Sequence, residues 1–245
     1  MQNTDAWQST KFIRRNGVLR ASRDLRAVSA GSRLNVELVA AFYHRTLPKY
    51  ARGRLLDLGC GAVPLYEAYR SHVSDIVCVD WEKSAHSSSY VDQTCDLNGA
   101  LPFEDNSFDT VILSDVLEHL CKPETCWQSM ARVTRRGGNV IMNVPFYYPL
   151  HEQPFDYFRY TEFALRRFAS ESGFAVVELD ILGGAPEVIT DIAAKLLAGR
   201  RLGRNLALAL QFLCLGLRHL PGGGNLSKRT AQRFPLGYAM VAERL

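Results

Sequence analysis

A chain of 245 residues that is 47% apolar and 22% charged, with a net charge of +4, has length for one large globular domain plus an appendage and is too ordinary in composition for a disordered, collagenous or disulfide-stapled protein. Its six cysteines, at 60, 78, 95, 121, 126 and 214, include no C-x-x-C pair, which argues against zinc and, with no secretory leader pattern at the start, for a reducing cytoplasmic setting. Charge is segregated: residues 1–54 carry eleven Lys/Arg against three Asp/Glu, residues 55–182 nine against nineteen, and residues 183–245 nine against three, so two basic flanks, suited to an anionic partner or simply to water, enclose an acidic centre.

Residues 1–30 are polar and basic without a clear period, and are expected as a loose arm with short helical pieces. Ser32 suits the cap of a helix to about Leu47, with Leu34, Leu38, Val39, Phe42 and Tyr43 near helical spacing and Pro48 where it should end. The pattern then predicts strand 54–58, helix 64–71, strand 75–80, a strand-like segment 90–95, strand 108–114, helix 123–134, strand 138–145, helix 161–172 and strand 174–182. Pro123 opens one helix, where its missing N–H costs nothing, and Gly173 closes another. Strands alternating with helices argue for an α/β protein with a parallel, doubly wound sheet. About fifty residues then intervene, with helical stretches 188–197 and 206–217 and a glycine-rich hinge over 221–225, before a last strand within 235–244.

The run Leu55-Leu56-Asp57-Leu58-Gly59-Cys60-Gly61-Ala62-Val63-Pro64 reads as a buried strand feeding a tight turn. Bare glycine backbone lets a ligand approach closely. The third glycine of the dinucleotide fingerprint is replaced by Pro64, and a carboxylate, Asp57, stands two residues before the first glycine. That charge repels a pyrophosphate and suits a ligand carrying an ammonium and a sulfonium. Asp80 ends the next strand, nineteen residues after Gly61, where an acid accepts ribose hydroxyls. Trp81 follows as a flat ring for adenine, then Cys95-Asp96-Leu97. Next come the stretch Leu101-Pro102-Phe103 through Ser107-Phe108-Asp109 to Ser114-Asp115-Val116-Leu117-Glu118-His119-Leu120, and the strand Arg135-Arg136-Gly137-Gly138 to Pro145.

Taken in order over residues 54–145, these motifs resemble the class I S-adenosylmethionine (SAM) dependent methyltransferases, in a small-molecule, type 11-like branch. The resemblance implies a Rossmann-like seven-stranded sheet with an antiparallel last strand, here with an N-terminal helical arm and a helical insertion before that strand. It implies SAM as methyl donor and S-adenosylhomocysteine as product. Asp57, Gly59, Cys60, Gly61, Asp80, Trp81, Asp96, Leu97, Ser114, Asp115 and His119 are then the expected cofactor residues. The expected divisions are 1–50 as a basic helical arm or lid over which Tyr43 or Arg33 touches substrate, 51–182 as the SAM-binding core, 183–234 as the insertion and 235–245 as the final strand.

The loop after Pro145, Phe146-Tyr147-Tyr148-Pro149-Leu150-His151-Glu152-Gln153-Pro154-Phe155-Asp156-Tyr157-Phe158-Arg159-Tyr160, leaves the active-site edge of such a sheet and is too dense in chemistry for a mere connector. His151 is the candidate general base, with a side-chain pKa near neutrality. Asp156 orients it or binds a substrate hydroxyl, Arg159 holds a carboxylate or phosphate, and Tyr147, Tyr157 and Tyr160 wall the substrate. Against these roles, Asp156 and Arg159 pair structurally and the aromatics are core. His119 either closes the cofactor pocket or acts as a base. No metal is expected.

Methyl transfer to a small-molecule or a glycan- or lipid-linked acceptor, at oxygen in preference to nitrogen or carbon, is the leading function. The alternatives are a non-catalytic SAM-binding protein and an RNA methyltransferase; a nicotinamide dehydrogenase is disfavoured by Asp57 and Pro64, and nucleic acid by the lack of a target-base motif. The apolar stretch 206–217 is too short to span a bilayer. It suits a lid, a homodimer surface or an amphipathic element at the inner membrane surface.

Overall fold

A computed structural model describes residues 1–84, 86, 88–218, 220 and 222–245. The parallel strands are β3 (Arg54–Leu58), β4 (Asp75–Asp80), β5 (Gln93–Thr94), β6 (Phe108–Ser114) and β7 (Thr134–Pro145), preceded by a hairpin of β1 (Phe12–Arg15) and β2 (Val18–Ala21); the central ones, β3 and β6, are apolar runs buried on both faces, while β5 is a short exposed edge. With β8 (Phe174–Leu182) and β9 (Gly237–Arg244) they make a seven-stranded sheet ordered β5-β4-β3-β6-β7-β9-β8, in which β9 runs antiparallel to both neighbours. This is the Rossmann-like sheet with a reversed last strand.

Side-chain alternation along the strands splits the core in two. Leu55, Ile112 and Ile141 face the layer of α1 (Arg33–Tyr50) and α2 (Tyr66–Tyr69), while Leu56, Val111 and Met142 face α3 (Pro123–Val133) and α4 (Glu162–Glu171). Thr161 caps α4 by accepting a hydrogen bond from the Ala164 N–H. Between β8 and β9 lie α5 (Ala185–Leu197), α6 (Arg201–Arg218) and α7 (Asn225–Thr230). No helix among the described residues is long and apolar enough to cross a membrane.

Several expectations need correction. The loose arm over 1–30 is instead a short 3-10 turn and the β1–β2 hairpin, whose Phe12 and Leu19 are buried. Its Asn16-Gly17 turn has positive φ at both residues, the signal for a two-residue hairpin. The helix expected to stop before Pro48 runs on to Tyr50 with Pro48 inside it. Helix 64–71 shrinks to four residues, segment 90–95 pairs only over Gln93–Thr94, and strand 138–145 starts four residues earlier. Pro221, where the expected hinge begins, lies outside the described residues.

Candidate active site

The chain order β3, β4, β5 on one side and β6, β7 on the other makes a switch point between β3 and β6, where the crevice beyond the strands' C-terminal ends takes ligands in such sheets. A cavity of about 900 Å³ opens there.

Gly59, Cys60 and Gly61 form one wall. Gly59 sits at φ +68°, and a Cβ there would lie 2.5 Å from Val116 Cγ2; only glycine keeps this turn tight. The Gly59 and Cys60 N–H groups donate to the Val79 carbonyl at 2.8 and 3.0 Å, tying the turn to β4. Asp80, at the end of β4, faces the cavity, its carboxylate accepting from the Gly61 N–H at 3.2 Å and the Trp81 N–H at 2.8 Å. Trp81, Asp96, Leu97, Ser114 and Asp115 line the same space, and Phe155 packs edge-on against Trp81.

Asp57 is placed differently from the expectation. It shares the strand face of Leu55, is buried against α2 and accepts a hydrogen bond from the Tyr69 hydroxyl at 2.9 Å. It does not line the cavity, and burial lifts its carboxyl to about 7. The period of two on a strand points residue 57 into the helical layer, so its charge does not face a cationic ligand directly.

Asp115 stands at φ +52° and is engaged on both oxygens, by Lys11 Nζ at 2.5 Å and by Asn143 Nδ2 at 2.5 Å. Asn143 Oδ1 accepts from Ser114 Oγ at 2.8 Å and Tyr43 Oη at 2.9 Å. Tyr43 therefore supports the wall from behind, and Arg33 donates to the Arg23 carbonyl; neither lines the cavity.

The loop after β7 is fastened to the Leu117–His119 turn. The Tyr157 and Phe158 N–H groups donate to the Glu118 carbonyl, and the Tyr160 hydroxyl donates to that of Leu117. Of the expected loop residues, only Tyr157 lines the cavity, joined by Glu152, Gln153 and Phe155. Tyr160 is core, and Tyr147 packs between Phe146 and Phe234. Asp156 is not presented to a substrate: its side chain is 2% exposed and clamped by Arg159 through Nη1 at 2.5 Å and Nη2 at 2.8 Å. Arg159 is spent on that pair, which holds the Asp156 carboxyl down at about 2.

His119 lines the cavity, and His151 stacks edge-on behind it with ring centroids 4.7 Å apart. His151 is thus one layer removed from the position expected of the base. Burial, with the neighbouring His119, lowers its pKa. Both rings point Nε2 at Glu118, a fully buried carboxyl whose pKa burial raises well above the ordinary range.

Sequence reasoning passed over Lys11, Glu118, Glu152 and Phe155. Lys11 reaches Asp115 across 104 positions, a pairing with no local signature. Glu118 was readable as the neighbour of His119 in the same motif, and Glu152 as the neighbour of His151.

Residues 56–142 match the family model described as a methyltransferase domain. A demethylmenaquinone methyltransferase of Renibacterium salmoninarum is 32% identical over 120 residues, which cover 46% of this chain and 48% of that protein. The chain thus spans about half the length of this curated relative. Among solved structures, a putative sarcosine dimethylglycine methyltransferase from Galdieria sulphuraria superposes with a TM-score of 0.54 at 16% identity, covering 98% of this chain and 94% of that one. A geranyl diphosphate methyltransferase in complex with SAM superposes with a TM-score of 0.55 at 15% identity, covering 88% and 90%. At these identities the structures speak to the fold alone.

Proposed function

We propose that this chain, whose residues 56–142 match a methyltransferase domain, is a class I SAM-dependent methyltransferase that transfers a methyl group to an oxygen of a small-molecule acceptor held in the switch-point cavity. The observation that carries the reading is the convergence of the bare Gly59–Gly61 turn, the Asp80 carboxylate and the Ser114–Asp115 wall on one cavity. These residues fit the cofactor: a Cβ would close the cradle at Gly59, and Asp80 offers acceptor lone pairs at the cavity edge. Asp80 holds the ribose hydroxyls, Trp81 and Leu97 flank the adenine, Asp96 takes its amino group, and the Gly59–Gly61 backbone with Ser114 and Asp115 lies along the methionine end.

When bound, SAM supplies a methyl on a sulfonium that leaves as a neutral thioether. The protein's task is to align the acceptor oxygen and to remove its proton. His119 is the imidazole on the cavity; the Phe155 carbonyl 2.7 Å from Nδ1 fixes the hydrogen there, and its Nε2 lone pair, buried against Glu118, takes the acceptor proton only once the acceptor reaches that side of the ring. Tyr157 and Gln153 line the acceptor side.

Calorimetry tests the reading. SAM is expected to bind in the micromolar range, and Asp80→Ala to weaken it roughly tenfold to a hundredfold through two lost charge-assisted hydrogen bonds. No heat of binding from the wild-type chain would sink the cofactor assignment; cofactor binding without turnover on any acceptor would favour the non-catalytic alternative.

A lipid-linked acceptor is favoured by one feature. Ile189, Ile192 and Leu196 of α5 and Leu202, Leu206, Phe212 and Leu213 of α6 are exposed, Leu202 to 84% and Phe212 to 80%, with Arg200, Arg201 and Arg204 at the junction. An apolar face beside arginines suits an anionic membrane surface.

A further inference from the structure

Behind the cavity wall at His119, two imidazoles and a carboxyl group converge. Glu118 is fully buried, and neither of its oxygens has a hydrogen-bond partner; the buried His119 Nε2 has none either. His119 Nε2 and His151 Nε2 each stand 3.8 Å from the same oxygen, Glu118 Oε1. The donor atoms of the three residues all lie within 4.8 Å of one another.

The other ring nitrogens say where the hydrogens are. His119 Nδ1 faces the Phe155 carbonyl at 2.7 Å, and His151 Nδ1 faces Asp156 Oδ2 at 3.2 Å and the Pro149 carbonyl at 3.3 Å. Carbonyls and an ionised carboxylate only accept, so each ring carries its hydrogen on Nδ1 and a lone pair on Nε2. Two imidazole lone pairs aimed at one buried carboxyl call for a positive charge among them, either the proton that burial keeps on Glu118 or a metal ion.

We propose that Glu118, His119 and His151 hold a first-row divalent metal ion, with Glu152 beside it and open positions towards the cavity. A closing of a few tenths of an ångström brings the donors to bond lengths of about 2.0–2.2 Å. Two nitrogens and a carboxylate suit zinc, iron or cobalt better than magnesium or calcium. The outer contacts match those that orient metal-binding imidazoles, a backbone carbonyl for one ring and a carboxylate for the other. Glu152 Oε2 lies 4.0 Å from His119 Nε2 on the cavity side. Asp115 is not part of the set, being taken by Lys11 and Asn143.

One consequence rests on the methyl-transfer reading: an ion here selects an acceptor with two adjacent oxygen donors, a hydroxyl beside a carbonyl, carboxylate or second hydroxyl. A nitrogen that holds the ion does not also take a proton. Coordination then replaces His119 in acidifying the acceptor hydroxyl, whose proton passes to water at the cavity mouth.

The test titrates the chelator-treated full chain with Co²⁺, followed by its visible d–d absorption, in parallel with calorimetric titration of SAM. One equivalent of cobalt is expected. Its affinity falls about a hundredfold or more in Glu118→Gln and in His151→Ala, and about tenfold to a hundredfold in Asp156→Asn, where the His151 ring loses its carboxylate partner along with the Arg159 ion pair. X-ray absorption of the wild-type zinc complex is expected to count two imidazole ligands, and it needs no substitution, so it decides even where a variant fails to fold. No cobalt saturation, an affinity indifferent to both ligand substitutions, or a zinc shell without imidazole overturns the site and leaves the three groups sharing a proton. Cobalt binding in a chain that binds no SAM keeps the site and removes the cofactor reading; the reverse removes the site alone.

Discussion

Burial lifts the Asp57 carboxyl from an unfolded value of 3.8 to about 7, so the group holds its proton more tightly folded than unfolded. Between those pH values the folded state carries the extra proton, and stability falls as pH rises, by about 1.4 kcal/mol per pH unit at most, and levels off above the folded value. Asp57→Asn keeps an acceptor for the Tyr69 hydroxyl and removes the titration. Its stability relative to wild type is therefore expected to rise from pH 5 to pH 8, read by thermal denaturation at both; an equal difference at the two pH values would show that Asp57 is not held neutral by burial. Asp156 behaves in the opposite sense. Arg159 holds it down at about 2, so its contribution is present above pH 3.8 and is lost as pH falls towards 2. One residue type thus plays two roles, set by whether a cation or an apolar layer stands next to it.

At the scale of elements, the insertion and the N-terminal segment are built on one another. The first turn of α1 has no side-chain cap from Ser32. Gln211 of α6 supplies it: Oε1 accepts from the Leu34 N–H at 2.8 Å, while Nε2 donates to the carbonyls of Ala30 at 2.5 Å and Ala207 at 2.9 Å. Gln211→Ala leaves buried backbone groups without partners, and is expected to lower the unfolding free energy by about 1–3 kcal/mol in urea denaturation. A loss under a few tenths would mean that water replaces the cap. Buried Glu187 joins the other helices, accepting from the Gly184 N–H at 2.8 Å and from Arg218 Nη1 at 2.7 Å. Lys11, just before the hairpin, lines the cavity, so the segment expected as a loose arm forms part of the cavity wall.

Over the whole molecule, the contact proposed between the exposed apolar face of α5 and α6 and an anionic surface has a direct test. Vesicles containing phosphatidylglycerol are expected to co-sediment with the chain, vesicles of phosphatidylcholine much less so, and Phe212→Glu with Leu202→Glu to abolish the difference. A chain that ignores both vesicles but forms a dimer broken by those substitutions would assign the face to a second copy instead. The order of elements along residues 54–182 was legible in the sequence because each strand's burial is written in its own apolar run, and the Gly59–Gly61 turn, Asp80 and the Ser114–His119 segment sit where those runs end. The hairpin was legible too, in Asn16-Gly17, but its basic strands masked the alternation. The sheet and the row of residues along its C-terminal edge are written in the chain's local pattern, since strand, turn and helix are decided by neighbours a few positions apart. Only the tertiary structure decided that Asp57 turns into the helical layer, that Lys11 closes on Asp115, and that Glu118, His119 and His151 converge, because such contacts join residues far apart in the chain, and their charges and lone pairs acquire meaning only once water has been excluded from between them.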